Sequence, residues 1–548
     1  MAKEYIKIKK DRDIEKVGFL SSNMINKKGD KMAKRNKSNN KKKCLIGPLN
    51  GQKRSEKAFR VRHKAACSQM ELPLTEHPCN GDEQLYPTKI ASFSKGLPHN
   101  SLGEVDLQAY NQLIKALKTG NKDHFESIPL GGDVKLANPQ AAYAFDLAGT
   151  DCHNLGIAVP PSFKSAWAAG EMAELYWQAL TRDVPFDEYR TNRLTMEAAS
   201  ELSSFSDFRG PKAAGKVTTG TLFRGDTPGD LIGPYISQFL WKNVPYGGTT
   251  IVQHYRTALA ESDHMTSYDQ WLDIQNGSTP AAPLFDPKPR YIRNGRDLGE
   301  YVHQDFAFQG PLSACLVLLS FGREALDIYN PYLKSETQDG FITFGAPHIL
   351  DLVTKVARAA LEAAWFQKYL VHRRLRPEEF GGRVHNHLMG AASYPINSEL
   401  LHSQVISKVF SQFRSYLLPM AYPEGCPIHP AYPAGHAAIV GAGATVLKAF
   451  FKESFKIPNP VTASSDGLSL LPYSGKPLTI GGELNKLAAN ISLGRNTAGV
   501  HWRSDGIEGM KLGEAVAISI LRDYSATYHE KFTGFSFTKF DGTRITIK

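Results

Sequence analysis

Several features that would place this chain at once are missing from it. No uninterrupted apolar run approaches the roughly 20 residues that a membrane-crossing helix needs, so the sequence predicts no span. The first twenty residues carry Lys3, Lys7, Lys9, Lys10, Arg12 and Lys16 but no apolar stretch of the kind that directs secretion. The chain therefore reads as soluble and, by default, cytoplasmic. Cys44, Cys67, Cys79, Cys152, Cys315 and Cys426 include no CxxC pair, which argues against a zinc ribbon or a thioredoxin-like site. Cys67 and Cys79 are close enough in sequence to bridge, and the spacing leaves that open. Cys315, within Cys-Leu-Val-Leu-Leu, reads as a core thiol. No internal repeat is present.

The net charge of +11 is not spread over the chain. Residues 1–66 alone contribute +15, so the other 482 residues are net −4. The basic part predicts an arm without fixed structure. No aromatic residue interleaves with its lysine cluster as a nucleic-acid stacking platform would require, so no nucleic-acid partner is expected. Two further regions are predicted: an N-terminal helical region, 67–330, and a catalytic helical region, 331–548, packed with it as one body.

Helical periodicity dominates from about residue 106. The stretch from Ser162 to Leu180 predicts one helix, and residues 210–300 read as loops with short helices. Ile349, Val353, Val356, Ala360 and Ala364 share one face of a predicted helix from Pro347 to Leu370. A second predicted helix runs from His436 to Phe451. Its Gly441 and Gly443 cost helix propensity unless a neighbouring helix packs closely there. A third begins near His501 and reaches Tyr524. At the C-terminus, alternating runs flank Asp541-Gly542, the signal of a two-residue turn in a β-hairpin. The predicted fold is mainly α, two four-helix-bundle-like cores closed by this hairpin.

Three polar segments suit one task, holding a tetrahedral oxyanion. In Lys368 to Pro377, an ammonium on a rigid helix precedes Arg376, whose fork matches two anion oxygens; Pro377 is expected to end the helix. Arg373 and Arg374 make a solvated basic patch the plainer reading. His429-Pro-Ala-Tyr-Pro-Ala434-Gly435-His436 leads straight into a helix. The N–H groups there form an anion cradle, and His436 stands as an acid or base. In Arg495 to Asp505, Arg495 supplies a second fork and His501 a ring nitrogen. Asp505 lies four residues on, placed to orient that region.

Lys-x7-Arg-Pro, Pro-Ala-Gly-His and Arg-x3-Gly-x-His-x3-Asp, in that order, resemble the vanadium-dependent haloperoxidases. Ala141 to Asp151 and Tyr301 to Phe306 resemble their red-algal and cyanobacterial bromoperoxidase branch. The resemblance covers about residues 90–525. It implies vanadate in a cationic pocket, with Lys368, Arg376, Arg495 and the Gly435 N–H on its oxygens. It makes His501 the ligand to the metal, His436 the acid or base, and Lys368 the group that polarises bound peroxide. Hydrogen peroxide and halide are the implied substrates. The product is a hypohalous-acid equivalent that halogenates small organic molecules. Trp365 and His429 would line the halide pocket and favour bromide and iodide over chloride. The resemblance also implies a homo-oligomer, dimer-based and up to a dodecamer, and allows a structural calcium ion, with Asp339 in a candidate loop. One position departs from the family. Ala434 stands where Ser is usual, and a methyl cannot bond an oxyanion. Losing such a bond costs about 1.5–3 kcal/mol, about ten- to a hundredfold in binding. Two rival readings are a histidine acid phosphatase of the related helical superfamily and a non-catalytic oxyanion binder weakened by Ala434.

Overall fold

The computed structural model describes residues 47–548. Most of the basic arm lies outside the described residues. The part within them corrects the expectation, because Gly51–Met70 is a helix, α1. Good helix formers explain it: Lys, Arg, Glu and Ala dominate. The Asn50 side chain also accepts the Lys53 N–H at 2.9 Å, and Glu56 pairs with Arg60 one turn on. The chain divides into one unit ending at His63 and a larger one, Lys64–Lys548.

The principal helices of the larger unit are α2 (Leu107–Thr119), α3 (Ala166–Leu180), α4 (Gly295–Gln304) and α5 (Gln309–Ser320). They continue with α6 (Ala346–Phe366), α7 (Pro377–Leu388), α8 (Gly435–Phe450), α9 (Ile480–Thr497) and α10 (Arg503–Ser525). Among the described residues, strands are confined to three two-stranded antiparallel hairpins. These are β1 (Val244–Tyr246) with β2 (Thr249–Ile251), β3 (Val461–Ala463) with β4 (Leu470–Pro472), and β5 (Phe535–Thr538) with β6 (Arg544–Ile547). The expected mainly α architecture is what forms.

Helix α8 is the axis of the C-terminal half. Every residue in it except His436 is buried, and α6, α9 and α10 pack around it. Its small residues are sterically required. A Cβ on Gly441 would sit 2.5 Å from the Met510 carbonyl of α10, and one on Gly443 would sit 2.5 Å from Pro311 of α5. The reverse face of the seam is equally tight. A Cβ on Gly513 of α10 would lie 2.0 Å from the Ala438 carbonyl. Backbones approach this closely only where side chains vanish. From the N-terminal half, α4 and α3 pack against α9.

Some boundaries move. Helix α3 starts at Ala166, where Ser165 caps it by accepting the Ala168 N–H. Helix α6 buries the predicted Ile349, Val353, Val356, Ala360 and Ala364, then gives way at Gln367–His372 to a π-helical turn. Pro377 does not end a helix; it opens one. Arg376 is extended (φ −84°, ψ 157°) and precedes the proline at the first turn of α7. The C-terminal hairpin has register Phe535↔Ile547, but its turn is longer than two residues, since the Lys539 N–H reaches the Thr543 carbonyl at 2.8 Å. The extra residue is Phe540, which is buried with its N–H on Glu514.

Candidate active site

The three predicted segments converge. Lys368 is carried on the π turn after α6, so the wider turn, not the α-helix, aims its side chain. π turns recur at functional sites because the extra residue redirects one side chain. The Lys368 Nζ is fully buried and donates to the carbonyls of Pro430 (2.7 Å) and Ala431 (2.9 Å), inside the loop that leads into α8. Arg376 is also fully buried. Its fork donates to the His429 carbonyl (2.9 Å), the Val500 carbonyl (2.7 Å), His429 Nδ1 (3.0 Å) and His501 Nε2 (3.0 Å). Arg495, at the C-terminal end of α9, donates to the Val302 carbonyl at 2.7 Å and lies over the Tyr422 ring.

His501 lies just ahead of α10, which opens at Arg503 and not at His501 itself. Its Nδ1 is 2.8 Å from Asp505 Oδ2, and the same oxygen accepts the Trp502 N–H at 3.0 Å. Asp505 is thus both a third-residue helix cap and the partner that orients the imidazole. With Asp505 ionised, Nδ1 carries the proton and Nε2 presents a lone pair, which the Arg376 N–H now faces. The second Asp505 oxygen accepts from Arg374 at 2.8 Å.

The electrostatics favour an anion. Burial, reinforced by the Arg376 charge, pushes the Lys368 ammonium well below its usual pKa. Burial lowers Arg376 too. His501 is held well below the normal imidazole value by burial and then by Arg376, Lys368 and Arg495. The Arg495 Nε is buried without a hydrogen-bond partner. Gly435 opens α8, so its N–H has no intrahelical acceptor. A Cβ there would press within 3.4 Å of Leu361 and Trp365. Three buried cations, a free helix start, an orphaned N–H donor and an imidazole lone pair fit a tetrahedral oxyanion bonded at its centre to Nε2.

His436, the one residue of α8 that reaches solvent, has Nε2 2.9 Å from Asp305 Oδ1. Asp305 belongs to the Tyr301 to Phe306 stretch that stood out in the sequence without an assigned role. Trp365 and His429 form one wall, ring centroids 4.7 Å apart. Burial and the Arg376 and Lys368 charges hold His429 neutral. Ala434 is fully buried at the cap position of α8, with its N–H on the Asp505 carbonyl at 2.9 Å. Its methyl leaves the cap without a side-chain acceptor.

Arg373 and Arg374 are not a solvated patch. Arg374 is buried and joins Glu171 to Asp505; Arg373 pairs with Glu83. Adjacent arginines before an Arg-Pro step cannot be sorted into buried and exposed by pattern alone, because their partners lie about 130 to 290 residues away. Asp339 forms an ion pair with Arg323 on an exposed loop. Among the described residues no three acidic, His or Cys side chains cluster to hold a metal ion, and Asp339 belongs to no such group. Cys79 has a free thiol aimed at the Val371 carbonyl, so the Cys67–Cys79 bridge is not formed. Among the described residues no helix is long and apolar enough to cross a membrane.

The chain is also similar to known proteins. Residues 353–530 match a family model described as the VCPO second helical-bundle domain. A vanadium-dependent bromoperoxidase of Ascophyllum nodosum is 36% identical over 530 residues, 91% of this chain and 93% of that protein. One from Corallina pilulifera is 34% identical over 594 residues, 91% and 99%. The solved homohexameric structure of the second vanadate-dependent bromoperoxidase from Ascophyllum nodosum superposes with a TM-score of 0.88. It is 32% identical and covers 93% of each chain.

Proposed function

The chain belongs to the vanadium-dependent bromoperoxidases, and from that membership we propose how its buried cation cage performs the reaction. The protein is a vanadate-dependent haloperoxidase, using hydrogen peroxide to oxidise halide. When bound, vanadate acts as a Lewis acid that makes the peroxide electrophilic without a change in metal oxidation state. Lys368, Arg376, Arg495 and the Gly435 N–H would hold the vanadate oxygens. Preorganised in a buried site, they would balance negative charge as it develops on oxygen. His501 Nε2 would bond the metal, with Asp505 fixing the tautomer that leaves this nitrogen free. Asp305 takes the Nε2–H of His436, so that His436 Nδ1 can accept the peroxide proton and return it to the product oxygen. Lys368 would donate to the bound oxidant and draw electron density from it. The Trp365–His429 wall receives the halide. A polarisable wall suits the large soft anions, so bromide and iodide are favoured over chloride. The relative described as homohexameric supports a closed homo-oligomer of this size for the present chain in place of a dodecamer.

The observation that carries this reading is the Arg376 guanidinium at 3.0 Å from His501 Nε2, with Lys368 and Arg495 as further buried charges acting on the same ring. A phosphatase could use the same cage, with His501 as nucleophile. The test is peroxide-dependent bromination of a phenolic dye with added vanadate, beside hydrolysis of an aryl phosphate. Bromination that requires vanadate is expected. Hydrolysis without bromination would favour the phosphatase, and neither activity would make the chain a non-catalytic oxyanion binder.

A further inference from the structure

A second ionic assembly lies directly behind the metal-binding imidazole, and no step of the halide oxidation employs it. Helix α3 of the N-terminal half contributes two fully buried carboxylates one turn apart, Glu171 and Glu174. Glu174 pairs with Arg503, the first residue of α10. Glu171 accepts the Ser504 N–H (2.6 Å), the Ser504 hydroxyl (3.0 Å) and Arg374 Nη2 (3.1 Å). Arg374 Nη1 donates in turn to Asp505 Oδ1 and to the Ser504 hydroxyl, both at 2.8 Å. The Arg374 guanidinium lies 4.6 Å over the Trp502 ring, which leaves it little freedom.

The order is Glu171, Arg374, Asp505, His501, and each of these hydrogen-bonding neighbours of Glu171 is a donor. These donors favour the ionised carboxylate, against a burial that raises its pKa. With both carboxylates ionised, they and the one guanidinium sum to one negative charge beside the imidazole. Without Arg374, the fully buried Asp505 would keep only the Trp502 N–H and the imidazole N–H. An ionised carboxylate in that state is costly to bury. It could rotate away, and the neutral ring, no longer held by an acceptor at Nδ1, could then carry its one proton on Nε2 instead. That tautomer removes the lone pair the metal needs. The Arg374 backbone works on the opposite wall. Its carbonyl accepts the Ala431 N–H at 3.0 Å, and the Ala431 carbonyl accepts from Lys368.

We propose that Arg374, braced by Glu171, is a positioning residue that holds Asp505 so that His501 keeps its proton on Nδ1 and its lone pair on Nε2. This rests on the reading of His501 as the metal-bonding residue. The N-terminal half thereby sets the electronic state of a ligand carried by the C-terminal half.

The test uses the full chain and the variants Arg374→Met, Arg374→Lys, Glu171→Gln and His501→Ala. Two quantities are read: the 15N chemical shifts of the histidine ring nitrogens before vanadate is added, and the vanadate dissociation constant by equilibrium dialysis. Inorganic phosphate, held by the cations alone, is measured beside it. Arg374→Met is expected to mix the His501 tautomers and weaken vanadate binding about ten- to a hundredfold, with phosphate affinity within about threefold. Glu171→Gln moves both readouts the same way by less. Arg374→Lys keeps the charge and recovers most of the affinity; a loss equal to that of the methionine variant contradicts the charge argument. Unchanged tautomer and vanadate affinity in Arg374→Met overturn the proposal, and Glu171→Gln decides in the same way if the methionine variant does not fold. If His501→Ala binds vanadate like the wild type, the functional reading fails, and not merely this extension of it.

Discussion

Ala434 shows how much a single hydroxyl decides. It occupies the cap of α8, one residue before Gly435, where Ser, Thr, Asp or Asn would accept a first-turn N–H. Ala434→Ser is expected to tighten vanadate binding about tenfold or more and to add about 1 kcal/mol of stability. Equilibrium dialysis and thermal unfolding check the two effects. Unchanged vanadate affinity would mean that position 434 does not reach the anion.

His303 permits a prediction about pH. Burial alone would lower its pKa, but hydrogen bonds to Glu300 and Glu424, with their charges, raise it to about 9. A folded value above the unfolded one, about 6.5, means that the charged imidazole stabilises the fold fully below about 6.5. That contribution is lost as pH rises through about 9. The stability gap between wild type and His303→Gln should therefore narrow from pH 6.5 to 9, as urea titrations at several pH values would register. A gap independent of pH would deny the imidazole its charge.

At the scale of elements, the α8–α10 seam is the part that tolerates least. Gly513→Ala improves helix propensity, yet its methyl would meet the Ala438 carbonyl at 2.0 Å. The helices must separate, at about 1–3 kcal/mol. Because α8 begins at Gly435 and His501 precedes α10, vanadate affinity should fall together with the melting temperature. Gly248→Ala, whose added Cβ meets nothing within 4 Å, should alter neither. A Gly513→Ala protein that melts and binds like wild type would show that the seam has slack.

The sequence disclosed these elements unevenly, for physical reasons. The buried face of α6 was legible because it repeats with the helical period. The cage was legible because its residues sit at helix ends, which short motifs mark. The π turn was not, since nothing in Gln-Lys-Tyr-Leu-Val-His distinguishes a wide turn from a regular one. Nor was the fate of Arg374, whose partners Glu171 and Asp505 are brought to it by tertiary structure alone. Asp305 was within reach. Its motif stood out, but its partnership with His436 spans 131 positions and left no local trace.

Across the whole molecule, charge is arranged in layers. The residues beyond the first 66 are net −4, yet they enclose three buried cations around one imidazole. Carboxylates from the N-terminal half stand behind them, where α3 and α4 brace α9 and α3 also pairs with the start of α10. A cage of like charges this deep is costly without an anion, so the native protein is built for an occupant.

The most direct test is a crystal structure of the full chain grown with vanadate. The predicted result is a four-oxygen ion bonded to His501 Nε2, with Lys368, Arg376, Arg495 and the Gly435 N–H on its oxygens. A vanadate-saturated, brominating protein whose anion sits anywhere else would contradict the assignment of the cage.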